Sequence, residues 1–408
     1  MKYLKNIEIA EQYKISPNTV GNWIESAEKN GLHLVTENHR KYIINNSSNH
    51  MVLKDLSRKG KKYKNTKSLR IVEPTEEFYE TFDEKQIIDI ISSLEVYKEV
   101  DMKYTYFNKG GKIWDEYIQR VMTDPHPYTV KSTIQLLKNN AYYLYDLINK
   151  YKYVNIVDIG AGNAYPVKEL LKFFIKKGIL KRYIAIDYSP ILLDIAQNNV
   201  KNWYGDKIEV EAHNLDINYD MFKDILFKNS YRETAESDTV NIILFLGSTI
   251  ENQRLYFQSL DRIKNSMGQN DIFVLGHRLD SETSRREIHF NAPDPSIPNS
   301  DISQYMMVLK LLNIPEDAYE VERFYSEKQK SRLFQAKLKT DIQINFKTKN
   351  FNKTLILSNK DKMIFFRHGH HTFSSVVNTL DNIGFTVLHA TTALIYEQVV
   401  VISKIESL

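Results

Sequence analysis

Between residues 151 and 277 short apolar runs alternate with amphipathic stretches. Strand-like runs fall at 153–158, 182–187, 207–212, 239–246 and 271–276. A short β-branched run of this kind predicts a strand buried in a parallel sheet. Between them apolar residues recur at three- and four-residue spacing over 166–177, 190–201, 217–228 and 252–266, which predicts helices. Pro166 opens the first, with Leu170, Leu171 and Phe174 on one face, and Ser189 with Pro190 opens the second. The alternation predicts right-handed strand–helix–strand units building a parallel sheet.

The flanks are patterned differently. Residues 75–150 read as mainly helical. Thr81-x-x-Glu84 predicts a capping box at the start of a helix through Ile87, Ile88, Ile91 and Leu94. A second long helix is expected over 129–150. Between them lie tyrosine-rich loops punctuated by Gly110, Gly111, Pro125 and Pro127. Downstream, residues 291–300 read as a proline-rich loop, and the runs 337–345 and 398–403 are expected to pair at the sheet edge.

Residues 1–45 predict two short helices and a hairpin. Asn6 caps the first helix. Ser16 and Pro17 open the second, with Val20, Trp23 and Ile24 on one face. The runs 32–35 and 41–44 flank a wing at 36–40. This stretch resembles the small winged helix-turn-helix modules of the MerR and excisionase type, in which the second helix enters the DNA major groove. The resemblance implies base-facing Asn18, Thr19 and Asn22, with Arg40 and Lys41 on phosphate. A module used for protein contact or dimerisation fits the same pattern, because the second helix carries no Arg or Lys before Lys29. Residues 46–74 are expected to be a basic linker with a short helix at 51–56.

Charge sharpens this division. The chain carries a net +4, but residues 1–70 hold 14 Lys+Arg against 6 Asp+Glu, and the remainder holds 41 against 45. The basic excess therefore belongs to the N-terminal part, and suits a nucleic-acid or partner-binding module on a slightly acidic body. There is no cysteine among the 408 residues, which excludes disulfides, thiolate nucleophiles and cysteine zinc sites. No apolar run approaches the length of a membrane span, and residues 1–6 lack the apolar core of a signal peptide. A cytoplasmic protein is expected.

The candidate chemistry sits at the ends of the predicted strands. The first ends in Asp158, followed by Gly160, Gly162 and Asn163, and the second ends in Asp187. Two glycines one residue apart allow a tight turn and close approach of backbone to ligand. An acid ending the second strand can grip the two ribose hydroxyls of a nucleoside. Tyr165 stands where the third glycine of a dinucleotide fingerprint belongs. Together the features resemble the S-adenosylmethionine (SAM) site of class I methyltransferases. Asp216, after the third strand, is placed to accept from an adenine amino group. The fourth strand runs into Gly247, Ser248, Thr249 and Asn252, hydroxyl and amide groups at a strand's carboxyl end. Residues 368–371, His-Gly-His-His, invite a metal reading, but no neighbouring carboxylate in sequence completes a ligand set, and no metal is expected.

Over roughly residues 101–405 the chain resembles the histidine-specific SAM-dependent methyltransferases, the family of the ergothioneine-pathway α-N-methyltransferase. Residues 106–115 are similar to the family's Tyr-Asp-x-x-Gly-Ser-x-Leu-Phe-Asp, with Gly110 and Trp114 in place. Residues 125–129 are similar to its Pro-Glu-Tyr-Tyr-x-Thr-Arg, and 158–163 to its Glu-Leu-Gly-Ser-Gly. The most specific match is 245–252, Phe-Leu-Gly-Ser-Thr-Ile-Glu-Asn against Phe-Pro-Gly-Ser-Thr-Ile-Gly-Asn. Residues 324–332, with Tyr325 and Arg332, are similar to its Tyr-Asn-x-x-x-x-Arg-Ile.

The resemblance implies a mostly parallel seven-stranded class I core over 151–408 with a C-terminal substrate-side insert, and a helical substrate-side region over 75–150. It implies SAM at Asp158, Gly160, Gly162, Asp187 and Asp216. It implies an acceptor amino acid near Tyr106, Tyr128 and Asn252, with Tyr128 or Asn252 holding the amine lone pair in line. The family's substrate-selecting Glu-x-Ser-x-Lys reads Phe366-Arg367-His368-Gly369-His370 here, and its Gly-x-Asp reads Gly276-His277-Arg278. Free histidine is therefore expected to be a poor acceptor, with His368 or His370 taking the recognition or proton-accepting role. An amino acid or a peptide or protein residue is the expected acceptor. A nucleic-acid methyltransferase and a DNA-binding regulator that senses SAM remain the alternatives, although no Asn/Asp-Pro-Pro-Tyr string follows the fourth strand.

Overall fold

The computed structural model describes residues 3–13, 17–37, 40–64, 69–125, 129–227, 238–247, 249–280, 304–393 and 398–406. It divides into two compact units, 1–70 and 71–408. The expected proline-rich loop at 291–300 lies outside the described residues.

The first unit carries helices Asn6–Tyr13 and Pro17–Glu25, then an antiparallel hairpin of Leu34–Glu37 and Arg40–Ile44. Tyr3–Leu4 adds a third strand beside Arg40–Ile44. Ile9, Val20, Ile43 and Leu53 are buried together as its core. Buried Asn49 donates to the His33 and Ile44 carbonyls at 2.7 and 2.8 Å and accepts from the His33 amide at 2.8 Å. That satisfies a buried amide and pins the hairpin. Residues 46–64 do not form a linker with a short helix: one helix runs Ser47–Lys64.

In the second unit the five strands expected over 151–277 and the 398–403 run join an unexpected strand at Phe385–Ala393 in one seven-stranded sheet. We number them β1 (Tyr153–Ile159), β2 (Leu180–Asp187), β3 (Glu209–Asn214), β4 (Thr239–Phe245), β5 (Ile272–Arg278), β6 (Phe385–Ala393) and β7 (Gln398–Ile405). Their spatial order is β6-β7-β5-β4-β1-β2-β3. β1 to β5 run parallel, while β7 is antiparallel to both β5 and β6. Alternate residues of each strand face opposite cores. Val154 and Ile156 pack with Leu137, Leu144, Leu170 and Leu193 of the helices on one face. Val157 and Ile159 pack with Leu260, Ile263, Val376 and Leu380 on the other.

Three expectations need correction. The helix read at 217–228 shortens to Lys223–Leu226. Asp216 accepts from the Asn218 amide at 3.1 Å and its carbonyl from the Tyr219 amide at 2.9 Å, so the segment is spent on an Asp-initiated turn. The run 337–345 is not one edge strand. Strand Ser331–Leu338 ends, the chain turns where Asp341 accepts from the Asn359 amide at 2.8 Å, and Ile342–Lys347 begins a separate hairpin. The 398–403 run lies inside the large sheet, between β5 and β6, rather than at its edge.

Above the carboxyl ends of the strands lies a second core. Helix Glu84–Tyr97 packs Ile87, Ile90, Ile91 and Leu94 against strands Tyr319–Ser326, Ser331–Leu338 and Lys362–Gly369. Its capping box is Asp83 with Gln86, not Thr81 with Glu84. Asp83 accepts from the Gln86 amide at 2.8 Å and Gln86 accepts from the Asp83 amide at 2.9 Å, while Thr81 closes the preceding helix.

Candidate active site

β1 leads to β2 on one side and neighbours β4 on the other, so a crevice opens beyond the carboxyl end of β1 where the chain changes direction. A cavity of about 340 Å³ fills it. The β1 turn is built for close approach. Gly160 and Gly162 adopt φ of +65° and +55°. A Cβ on Gly160 would lie 2.9 Å from Thr249, and one on Gly162 only 2.4 Å from the Trp114 indole. Glycine is required by both backbone and space.

Asp187 organises the turn. One carboxylate oxygen accepts from the Gly162 amide at 3.0 Å and the other from the Ser189 amide at 2.9 Å. It is partly buried and lines the cavity, and burial raises its carboxyl above the usual range against those bonds. Ser189 caps the following helix and donates to the Tyr106 carbonyl at 2.6 Å, fixing the segment Met102–Tyr106 to the sheet. Asp158 is buried in the wall. Burial pushes it to about 7, opposed by the Tyr183 hydroxyl donating at 2.9 Å.

Ile159, Gly160, Gly162, Asp187, Asp216, Gly247, Thr249, Tyr106 and Asn252 all line this cavity, together with Trp114 and Lys103. Asn163 does not: it turns away, donating to Asp115 at 2.7 Å and accepting from the Tyr165 amide at 3.2 Å, so it holds the turn instead. Tyr128 and Ser248 lie outside the described residues. Asp216 lines the cavity with one oxygen held by Lys103, which donates to it at 2.7 Å and also meets Asp89 at 2.8 Å. Burial opposes the Lys103 charge, but Asp101, Asp216 and Asp89 outweigh it and hold the ammonium above its usual range. Asn252 is different: its side-chain oxygen is buried and has no hydrogen-bond partner.

His368 and His370 are not in the cavity wall. They stand beside Glu251, a residue the sequence patterns did not single out. Its carboxylate is buried, 3.1 Å from His277 Nδ1 and 3.0 Å from His368 Nε2, and accepts from the Arg278 amide. Burial works against its charge, but His277 and His368 outweigh it and lower it to about 2. Burial lowers His370 to about 3 and His371 to about 4. The pattern that points to Glu251 is the octapeptide 245–252, where an acid stands in place of the family's glycine. Among the described residues no group of three or more His, Asp or Glu side chains is arranged to hold a metal.

A model of the histidine-specific, SAM-dependent methyltransferases matches residues 83–394. The chain belongs to this family. It is a SAM-dependent methyltransferase, and its sheet is that of the class I fold. No curated protein matches it. Similar solved structures include a SAM-dependent methyltransferase from Clostridium acetobutylicum ATCC 824 (10% identity, 74% of this chain and 100% of that one, TM-score 0.41). A second is the magnesium protoporphyrin IX methyltransferase of Synechocystis PCC 6803 with bound S-adenosylhomocysteine (9%, 80% and 100%, TM-score 0.37). A third is the glycopeptide N-methyltransferase MtfA complexed with sinefungin (12%, 78% and 97%, TM-score 0.33). No described helix is long and apolar enough to cross a membrane.

Proposed function

We propose that this methyltransferase N-methylates an amino acid, with SAM held in the cavity at the end of β1. The observation that carries the reading is Asp187, whose two oxygens are oriented by the Gly162 and Ser189 amides while the carboxylate remains in the wall. Each oxygen keeps a lone pair for a ribose hydroxyl. The two glycines let Thr249 and Trp114, both in the cavity wall, pack directly on the turn backbone, so a Cβ at either would disturb that wall.

When bound, SAM supplies a methyl group on a sulfonium sulfur, open to in-line displacement. The protein's part is alignment and exclusion of water. Trp114 and Tyr106 close the cavity, and the unpartnered Asn252 oxygen is available to accept from an amine N–H and turn its lone pair inward. No covalent group on the enzyme is required. Where the family reads the imidazole with Glu and Ser, this chain has Phe366 stacked on Phe334 at 4.3 Å and His368 engaged with Glu251. Free histidine is therefore not its preferred acceptor.

Calorimetric titration of S-adenosylhomocysteine tests the site. The wild type is expected to bind, and Asp187→Ala to bind at least about tenfold more weakly, as expected for one lost charged hydrogen-bond partner. Equal affinity in the two refutes the assignment.

For residues 1–70 we propose nucleic-acid binding. Asn18, Asn22, Arg40 and Lys41 are all exposed on that unit, which carries the basic excess. Fluorescence anisotropy with duplex DNA is expected to show affinity falling steeply with salt. Removing residues 1–70 is expected to abolish it while S-adenosylhomocysteine binding persists. If neither form binds DNA, the module recruits a protein instead.

A further inference from the structure

Strand Ser331–Leu338 is the middle of three antiparallel strands on the substrate side. Arg332 pairs in register with Tyr325 on one neighbour and His368 on the other. Residues directly opposite across antiparallel strands share a face. The next row on that face is Arg323, Phe334 and Phe366. The guanidinium carbons of Arg323 and Arg332 lie 5.6 and 5.0 Å from the centroid of the same Phe334 ring. Tyr305 packs edge-on to Phe366 at 4.8 Å, completing an aromatic floor beneath two cations.

The acids of this region already have basic side chains beside them. Glu99 is gripped by Arg367 through two hydrogen bonds of 2.8 Å. Glu322 meets Lys337 and Lys362, each at 3.2 Å. Glu251 lies between His277 and His368. Arg332 has no carboxylate partner among the described residues. A partly buried guanidinium presents a rigid fork of donors that fits a carboxylate bidentately, and leaving it unmatched is costly. Burial first, then the charges of Arg323 and Arg278, lower it to about 10, so it stays a cation at neutral pH.

The face lies behind the methyl-transfer cavity: Tyr305, packed on its floor, is near enough to Tyr106 and Tyr117, which line the cavity, to add to the burial that raises both hydroxyls above their ordinary range. Asn252 lines the cavity, its neighbour Glu251 contacts His368, and His368 is the cross-strand partner of Arg332. We propose that Arg332 receives the carboxylate of the acceptor, so that the substrate is an amine bearing a free carboxylate. This rests on the SAM site and amine acceptor proposed above. The aromatic floor of Phe334, Phe366 and Tyr305 lies beside the carboxylate, and Asn252 faces the nitrogen.

The test titrates the standard L-amino acids and their carboxamides, by calorimetry, into the full-length protein saturated with S-adenosylhomocysteine. At least one free acid is expected to bind roughly tenfold to a hundredfold tighter than its amide, the range of a charge-assisted pair. Arg332→Gln is expected to abolish that preference without changing affinity for S-adenosylhomocysteine, which also shows that the variant is folded. Arg332→Lys, keeping the charge without the fork, is expected to retain part of it. Acid and amide binding alike, no acid binding, or an undiminished preference in Arg332→Gln each overturn the proposal while leaving the methyltransferase site standing. Failure of the wild type to bind S-adenosylhomocysteine removes the underlying site, and this proposal with it.

Discussion

Gly162→Ala is the sharpest perturbation of the cavity. The backbone there has φ of +55°, which costs an L-residue with a side chain about 1 kcal/mol. The new Cβ would lie 2.4 and 2.7 Å from two carbons of the Trp114 ring, where contact normally begins near ~3.5 Å. One of the two must move by about 1 Å. The helix Lys109–Thr123 that carries Trp114 has no slack, because its Gly111 already sits so close to the Tyr106 carbonyl that a Cβ would be 2.8 Å away. Either the indole rotates off its edge-to-face contact with Tyr106, or the Gly162 amide leaves Asp187. Both loosen the site, the second by a charged hydrogen bond of about 1.5–3 kcal/mol. Affinity for S-adenosylhomocysteine is expected to fall roughly tenfold to a hundredfold. A double-mutant cycle isolates the cause: in a Trp114→Ala background the clash is gone, and the penalty should shrink by about 1 kcal/mol or more. Binding within twofold of wild type, or the same loss in both backgrounds, would refute the steric account.

Two further outcomes follow from single side chains. Asn252→Ala is expected to lower kcat by about tenfold to a hundredfold, since it removes a group that orients the amine, with affinity for S-adenosylhomocysteine within about twofold; a parallel loss of cofactor affinity would move Asn252 to the SAM site. Burial lowers His370 from its ordinary 6.5 to about 3, so the unfolded chain binds more protons than the folded one in that window, and stability is lost as pH falls through it. His370→Asn removes this linkage and should therefore improve relative to wild type by at most about 2 kcal/mol between about pH 7.5 and pH 5 in denaturant titrations; no change, or the opposite sign, would show that His370 is charged in the folded protein.

Strands β1, β2, β4 and β5 were legible because a parallel strand buried on both faces leaves a largely apolar run, whereas β6, which is antiparallel, was not expected. Val154 to Ile159 could hardly be anything else. The turn at Gly160 and Gly162 was legible for a related reason: positive φ and the close packing of Thr249 and Trp114 restrict both positions to glycine. Local signals competed elsewhere. Thr81-x-x-Glu84 and Asp83-x-x-Gln86 overlap, and only the end of the preceding helix decides between them. The polar pattern after Asp216 suits a helix and an Asp-initiated turn equally well, and hydrogen bonds to Asp216 decide for the turn. Lys103 was illegible as the partner of Asp216, since the two are 113 residues apart and any lysine on a tyrosine-rich loop looks solvated.

Glu251 was hidden for the same reason, and its surroundings bear on how the acceptor side changed. Three strings depart from the family pattern: Glu251 for glycine, Gly276-His277-Arg278 for Gly-x-Asp, and the 366–370 stretch. They are far apart in sequence, yet Glu251 touches both His277 and His368. A buried carboxylate without partners would cost several kcal/mol, and buried imidazoles without an acid gain little from protonation. Each departure therefore makes sense only beside the others. An acid placed at 251 needs donors from β5 and from strand Lys362–Gly369, and the two histidines supply them. The cofactor side, in contrast, keeps its glycines and Asp187 in the family pattern. On the site proposed above, the division follows from what each side would recognise: one cofactor against the β1 turn, and opposite it an acceptor whose polar partners change as a set.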